Sequence, residues 1–248
     1  MRAALAAVSL TDGDVSGNLA RMEKAAREAK TCGASLCVFG ECAVQGFNAL
    51  SWEYEADRDR GISADSEAFR RLCALSRGIG IDLLFGYIER DGDALYSSCA
   101  LIEDGIPTRN YRRVSRGWKE FRRTDSHYRE GEGPLIFDYR GIRCLTALCG
   151  DLWDSDAPLF RDTGADLLLW PVYICYSPEE WENGIRREYA EKAAEFAPRA
   201  LLVNSLCRIR TQNGGEETDA WGGCACFEGG KTTASLPMDR TGILFAEL

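Results

Sequence analysis

His127 is the single histidine among 248 residues, which removes most His-based zinc sites and limits Ser-His-Asp or Cys-His machinery to one imidazole. Eleven cysteines remain as nucleophiles, and a thiol with a reference pKa of about 8.5 needs a base or a positive charge beside it. Cys149 stands apart because it ends the apolar run Arg143 to Leu148 and precedes Gly150. A glycine there lets a substrate come close to backbone N–H groups able to stabilise an oxyanion. By itself a strand-end cysteine is more often packing than chemistry. Glu41 follows LCVFG and precedes CAVQGF, so a carboxylate is held where a strand core gives way to a loop. A solvated or capping Glu is the plain alternative, and the residues alone leave both assignments open.

The elements that must carry these two positions follow from periodicity. Gly17 to Lys30, with Leu19, Met22, Ala25, Ala26 and Ala29 among charges, has helical spacing, and Ser16 is its expected cap. Ser35 to Phe39 reads as a buried strand, and Asp65 to Ser76 as a helix. Ile81 to Ile88, Ala94 to Ile102 and Pro107 to Val114 read as strands, with turns at Asp91-Gly92 and Asp104-Gly105. Beyond a polar, basic stretch come strands at Leu135 to Tyr139, Arg143 to Leu148, Ala165 to Tyr173 and Ala200 to Leu206. A long amphipathic helix, Pro178 to Phe196, opens at Ser177, and Ala220 to Leu248 reads as paired strands around Gly229-Gly230. Helices alternating with strands in one half and hairpins in the other predict an α/β sandwich, with residues 1–248 as one domain.

Composition narrows the function classes. Hydrophobic residues at 45% and charged residues at 28% are ordinary globular values, and the length suffices for a large core. A net charge of −9 without a Lys/Arg stripe opposes a nucleic-acid partner. The longest apolar run, Leu167 to Cys175, is too short to cross a bilayer and contains Pro171, so no membrane anchor is expected. Free cysteines in such a chain read as buried small hydrophobes in a reducing cytoplasm. Cys224 and Cys226 form a C-x-C pair without a further Cys pair or nearby His, so they read as strand residues and no metal is expected.

Three stretches, VFGECAVQGF, YRRVSRGWKEF and LTALCGDLWDSDAPLFRDTGADLLLWPVYI, resemble in order and spacing the signature regions of the nitrilase superfamily of carbon–nitrogen hydrolases. RAALAAVSL, GADLLLWP and FEGGKTTASLPMDRTGILFAEL fall where that family has its first strand, post-cysteine strand and final hairpin, so the resemblance covers essentially the whole chain. It implies a four-layer α-β-β-α sandwich and a Glu-Lys-Cys triad. On that reading Cys149 is the nucleophile, Glu41 the general base, and the oxyanion is held by the Gly150 N–H and a cation. The implied reaction is cofactor-free hydrolysis of a small amide-type substrate through a thioester, in a homodimer or larger assembly.

The cation is where the sequence departs from the family, which has Tyr-Arg-Lys where this chain reads Tyr111-Arg112-Arg113. Simple alignment puts Arg113 on the lysine, whereas Lys119 is the nearest actual lysine and is the favoured candidate. The two differ in chemistry, because a guanidinium holds its proton where an ammonium can exchange one. The family's supporting glutamate stays unassigned, with Thr124 and Asp125 in its neighbourhood and Glu120 beside Lys119. Trp153-Asp154-Ser155-Asp156 replaces the usual Arg-Phe-Pro-Glu run, which bears on substrate choice. Tyr173 falls where the family points a residue into the pocket and is a candidate substrate contact, a role that Trp153 shares. Two other readings stay open: a Cys-His amidotransferase of another fold using His127, and a catalytically silent binding or scaffolding member.

Overall fold

Strand β1 (Arg2–Ala7) is buried at every residue after Arg2, which requires cover on both of its faces. Side chains alternate along a strand, so Ala3, Leu5 and Ala7 enter one core while Ala4 and Ala6 enter another. The computed structural model describes residues 1–153, 155–210 and 215–248. After β1 come β2 (Ser9–Leu10), α1 (Val15–Thr31), β3 (Leu36–Val38), α2 (Tyr54–Asp57) and α3 (Glu67–Ile79). A meander of β4 (Asp82–Asp91), β5 (Ala94–Glu103) and β6 (Ile106–Arg112) follows, then β7 (Leu135–Tyr139), β8 (Ile142–Thr146) and β9 (Leu167–Val172). The last part holds α4 (Pro178–Glu180), α5 (Arg186–Ala194), β10 (Arg199–Asn204), β11 (Leu206–Arg210) and β12 (Glu216–Trp221). It closes with β13 (Cys224–Glu228), β14 (Lys231–Leu236) and β15 (Gly242–Glu247).

Two six-stranded sheets face each other. One runs β15-β1-β3-β4-β5-β6 and the other β14-β13-β10-β9-β8-β7, each with a parallel centre and antiparallel flanks. Leu5, Val38 and Leu84 of the first sheet share a core with Leu168, Trp170 and Leu202 of the second. On the outside, α1 and α3 bury Met22, Ala26 and Leu72 against Phe85 and Cys37, while α5 lies against β10, β13 and β14. This is the four-layer α-β-β-α sandwich expected from the sequence. A small third sheet, β12-β11-β2, was not foreseen. No helix among the described residues is long and apolar enough to cross a membrane.

Several boundaries differ from expectation for local reasons. The cap of α1 is Asp14, whose side chain accepts the Gly17 N–H at 2.9 Å, so Ser16 lies inside the helix. Ser177 does cap α4 through a reciprocal box with Glu180, but the expected helix to Phe196 is interrupted. Gly184 takes φ 159° and widens the turn Trp181–Ile185 before α5 begins. β13 and β14 form the expected hairpin around Gly229-Gly230, whereas β15 crosses to the first sheet and pairs antiparallel with β1.

The cysteines serve mostly as packing. Cys37, Cys42, Cys99, Cys144, Cys207, Cys224 and Cys226 are buried, and among the described residues no group of three His, Cys, Asp or Glu side chains is placed to hold a metal ion. Burial pushes the Cys37, Cys99 and Cys224 thiols up, Cys144 to about 12 and Cys226 to about 11. Unfolded thiols ionise near about 8.5, so these groups stabilise the fold fully below that pH and lose the contribution as pH rises toward their folded values. Each adds a slope of about 1.4 kcal/mol per pH unit within that window. The urea midpoint should therefore fall steeply between about pH 8 and 10 and be nearly flat between about pH 7 and 8. A midpoint unchanged at the alkaline end would contradict thiol burial on this scale.

Candidate active site

Glu41 lies just past β3, in a turn that places Cys42 at φ 49° and Gly46 at φ 86°. Its backbone N–H reaches across to the Val172 carbonyl at the end of β9 at 3.3 Å, so this turn of the first sheet is tied to the second. Gly86 in β4 is required beneath it. A Cβ there would lie 2.6 Å from both Glu41 Cα and Cys42 N, with no flexible side chain to move aside. The Glu41 side chain is fully buried, and its Oε1 accepts from Ser97 Oγ on β5 at 2.8 Å and from Arg113 Nη1 at 3.0 Å. Oε2 is equally buried and has no partner among the described residues.

The cation facing Glu41 is thus Arg113, the residue after β6, itself only 3% exposed. Its Nε donates to Ser115 Oγ at 2.7 Å, which fixes the plane of the guanidinium. Burial alone would weaken its hold on the proton, but the charges of Glu41, Cys149 and Asp151 reverse this and raise its pKa, so it stays a permanent cation. Lys119, favoured from sequence, does not join the cluster. Its ammonium donates to the Tyr128 carbonyl and pairs with Glu130 at 2.6 Å, beyond the short helical turn Arg116–Trp118.

Cys149 opens the helical turn Cys149–Leu152 at φ 41°, a left-handed conformation unusual for a residue with a side chain. The residue is half-buried, and its thiol donates to the Tyr173 carbonyl at 3.3 Å. Burial and then the Glu41 charge push the thiol up to about 12, only partly offset by Arg113. Gly150 lets the guanidinium rest on the turn, since a Cβ at this position would stand 2.6 Å from Arg113 Nη2. Tyr173 touches Cys149 through its backbone. Its hydroxyl is engaged with Asp219 and Asn48, and its ring stacks on Phe47 at 4.4 Å.

Asp151 is the residue that sequence reading passed over. It is fully buried; Oδ1 accepts the Val114 and Ser115 N–H groups at 3.0 and 2.7 Å, and Oδ2 accepts Tyr111 Oη at 2.5 Å and the Leu148 N–H at 2.7 Å. One carboxylate therefore clamps the strand end bearing Arg113 to the turn bearing Cys149. Burial pushes the Asp151 carboxyl up, against the pull of Arg113 and of these hydrogen bonds. The available signal was its place two residues after Cys149; three of its four partners lie 36 to 40 residues away in the chain, where no local pattern points.

His127 bonds Asp125 at 2.9 Å and stacks on Tyr54, and none of its contacts involves Cys149. The charges that bear most on the Cys149 thiol are Glu41 and Arg113, a setting in which a proton can pass between thiol and carboxylate beside a fixed positive charge. Trp153 is 42% exposed and packs on Tyr189 at 5.1 Å; Asp154 lies outside the described residues.

Two measurements test this geometry. Alkylation of Cys149 by iodoacetamide should still be accelerating at about pH 10, without the plateau near about pH 9 of an ordinary thiol, because its pKa is about 12. A plateau at lower pH would refute the thiol environment. Gly86→Ala should cost about 1–3 kcal/mol by overpacking and also displace the Glu41 turn, so that the surviving folded protein reacts as if Glu41 were missing. Wild-type behaviour per folded molecule would show that the turn does not depend on this contact.

The family model of carbon–nitrogen hydrolases matches residues 2–248. Among characterised relatives, the chain is 29% identical over 161 residues to a glutamine-dependent NAD(+) synthetase of Thermotoga maritima, covering 64% of this chain but only 27% of that protein. It is 26% identical over 247 residues to an arylacetonitrilase of Aspergillus niger, covering 89% of this chain and 72% of that one. Among solved structures, it superposes on an amidase from Nesterenkonia sp. AN1 with TM-score 0.76 at 21% identity, over 100% of this chain and 93% of the other. A glutamine-dependent NAD+ synthetase from Acinetobacter baumannii matches with TM-score 0.79 at 19% identity, over 98% of this chain and 44% of the synthetase. These structures share the sandwich fold. With residues 2–248 matched by the family model, the chain belongs to the carbon–nitrogen hydrolase family, and it spans less than half the length of the two synthetases it matches.

Proposed function

We propose that the chain hydrolyses a carbon–nitrogen bond other than a peptide bond in a small amide-type substrate, with Cys149 as nucleophile, Glu41 as general base and Arg113 as the cation. The observation that carries this is the buried Glu41 carboxylate with one oxygen spent on Arg113 and Ser97 and the other unpartnered, its charge acting on a thiol that burial keeps protonated. The free oxygen, Oε2, takes the thiol proton as sulfur attacks the substrate carbonyl. The C–S bond forms, and the carbonyl electron pair moves onto oxygen, which meets the Gly150 N–H and Arg113. Glu41 then gives its proton to the departing nitrogen as the C–N bond breaks, leaving a thioester. A water molecule, deprotonated by Glu41, attacks that thioester; the acid leaves, and the proton returns to sulfur.

Arg113 in the lysine position gives this scheme a single proton carrier. A guanidinium does not release its proton, so its contribution is field and direction, while Glu41 performs every transfer. Similar proteins include an amidase in which acrylamide has added to the active-site cysteine, which supports a thiol nucleophile in this fold.

The test is a panel of small amides, nitriles and N-carbamoyl compounds assayed for ammonia release. Cys149→Ala should abolish turnover of any accepted substrate, and unchanged turnover would end the proposal. Arg113→Lys, which replaces the planar fork by a compact charge on a flexible stem and so loses the fixed aim at Ser115, Glu41 and the oxyanion, should lower kcat by about 10²-fold, the size of losing one aimed donor. Lys119→Met should cost far less. The reverse order of these two losses would reinstate Lys119 as the cation.

A further inference from the structure

The nucleophile's own peptide group is held from outside its turn. A left-handed conformation at a residue with a side chain costs roughly 1–2 kcal/mol and persists only where its surroundings enforce it. At Cys149 the carbonyl accepts the Trp170 Nε1–H at 3.0 Å. Trp170 is completely buried on β9, and its ring is stacked on Tyr189 of α5 at 5.1 Å with an interplanar angle of 25°. It is therefore a rigid donor, two residues before the Val172 carbonyl that receives the Glu41 N–H.

A trans peptide is planar, so the carbonyl of Cys149 and the N–H of Gly150 point in opposite directions. Fixing the first toward the indole fixes the direction of the second, and Arg113 Nη2 lies against the same residue, 2.6 Å from where a Gly150 Cβ would stand. That N–H has no acceptor among the described residues. We infer that Trp170 is a positioning residue: by anchoring the Cys149 carbonyl it aims the Gly150 N–H, beside Arg113, at the carbonyl oxygen of the substrate. The inference rests on the hydrolysis proposed above and adds to it a residue that touches no substrate. As negative charge grows on the substrate oxygen, the peptide is polarised, and the indole bond to its far end strengthens in step.

Trp170→Phe keeps the buried ring and its stack on Tyr189 while deleting the donor. For the best small amide of the panel, kcat should fall by about tenfold or more with KM within about threefold, the signature of an interaction realised in the transition state. Alkylation of Cys149 by iodoacetamide attacks a tetrahedral carbon and develops no oxyanion, so its rate should stay within about twofold of wild type. A merely structural role would slow both reactions alike, and either that result or an unchanged kcat overturns the inference. Should the variant fail to fold, the wild-type protein still decides the matter. Propionaldehyde, which forms a hemithioacetal with the thiol, should move the Trp170 indole proton resonance downfield, and an unmoved resonance overturns the anchoring. Wild-type protein that turns over no amide yet shows this shift would sink the hydrolysis while supporting the anchor.

Discussion

A carboxylate and a guanidinium buried against each other between two sheets set the terms for the rest of the structure. Glu41 and Arg113 are 0% and 3% exposed, and removing such charges from water costs several kcal/mol each unless geometry and hydrogen bonds offset it. The offset is spread over the fold. Ser97 on β5 and Ser115 after β6 each take one bond of the pair, and Asp151 adds a third charge whose oxygens gather four donors. Truncating either member would strand its partner, which explains why so many backbone choices around the pair are constrained, from Gly86 below the Glu41 turn to Gly150 under the guanidinium.

How much of this was legible depended on whether a residue's role is local. Glu41 and Cys149 could be singled out as candidates because each ends an apolar strand and sits within a signature stretch, and the sandwich followed from strands alternating with helices. The register of the sheets was not available, because β15 joins β1 from the opposite end of the chain, and pairing over that separation leaves no periodic trace. The cation that pairs with Glu41 is not the one favoured from sequence, where residue type was given weight over position. Lysine is the expected chemistry, yet the residue directly after β6 is the one the strand delivers to Glu41, and a short helical turn takes Lys119 to Tyr128 and Glu130. Ser97 and Asp151 were invisible for a related reason: a polar residue inside a buried strand or turn announces that it has a partner without saying which. Gly184 did carry a local signal, and reading Pro178 to Phe196 as one helix passed over it.

The substitution of arginine for lysine and the protonated state of Cys149 belong together. With burial pushing the thiol up to about 12, Cys149 at rest keeps its proton and donates it to the Tyr173 carbonyl, and on the proposed mechanism it is a weak nucleophile until substrate arrives. A lysine in the cation's place could exchange a proton with its neighbours; Arg113 cannot, and so it neither competes with Glu41 for the thiol proton nor loses its charge when the proton moves. In the proposed reaction, the thiol must turn from Tyr173 toward the free Glu41 oxygen, and sulfur gains negative character only while a carbonyl is there to receive it. That charge passes at once to an oxygen between the Gly150 N–H and Arg113, where the field is already in place and nothing has to reorganise. Electrophiles that offer no carbonyl oxygen receive none of this help. On the proposed mechanism, the same burial that makes Cys149 a poor thiolate at rest makes it selective, favouring carbonyl-type carbon over the alkylating and oxidising agents that would consume a freely ionised thiol.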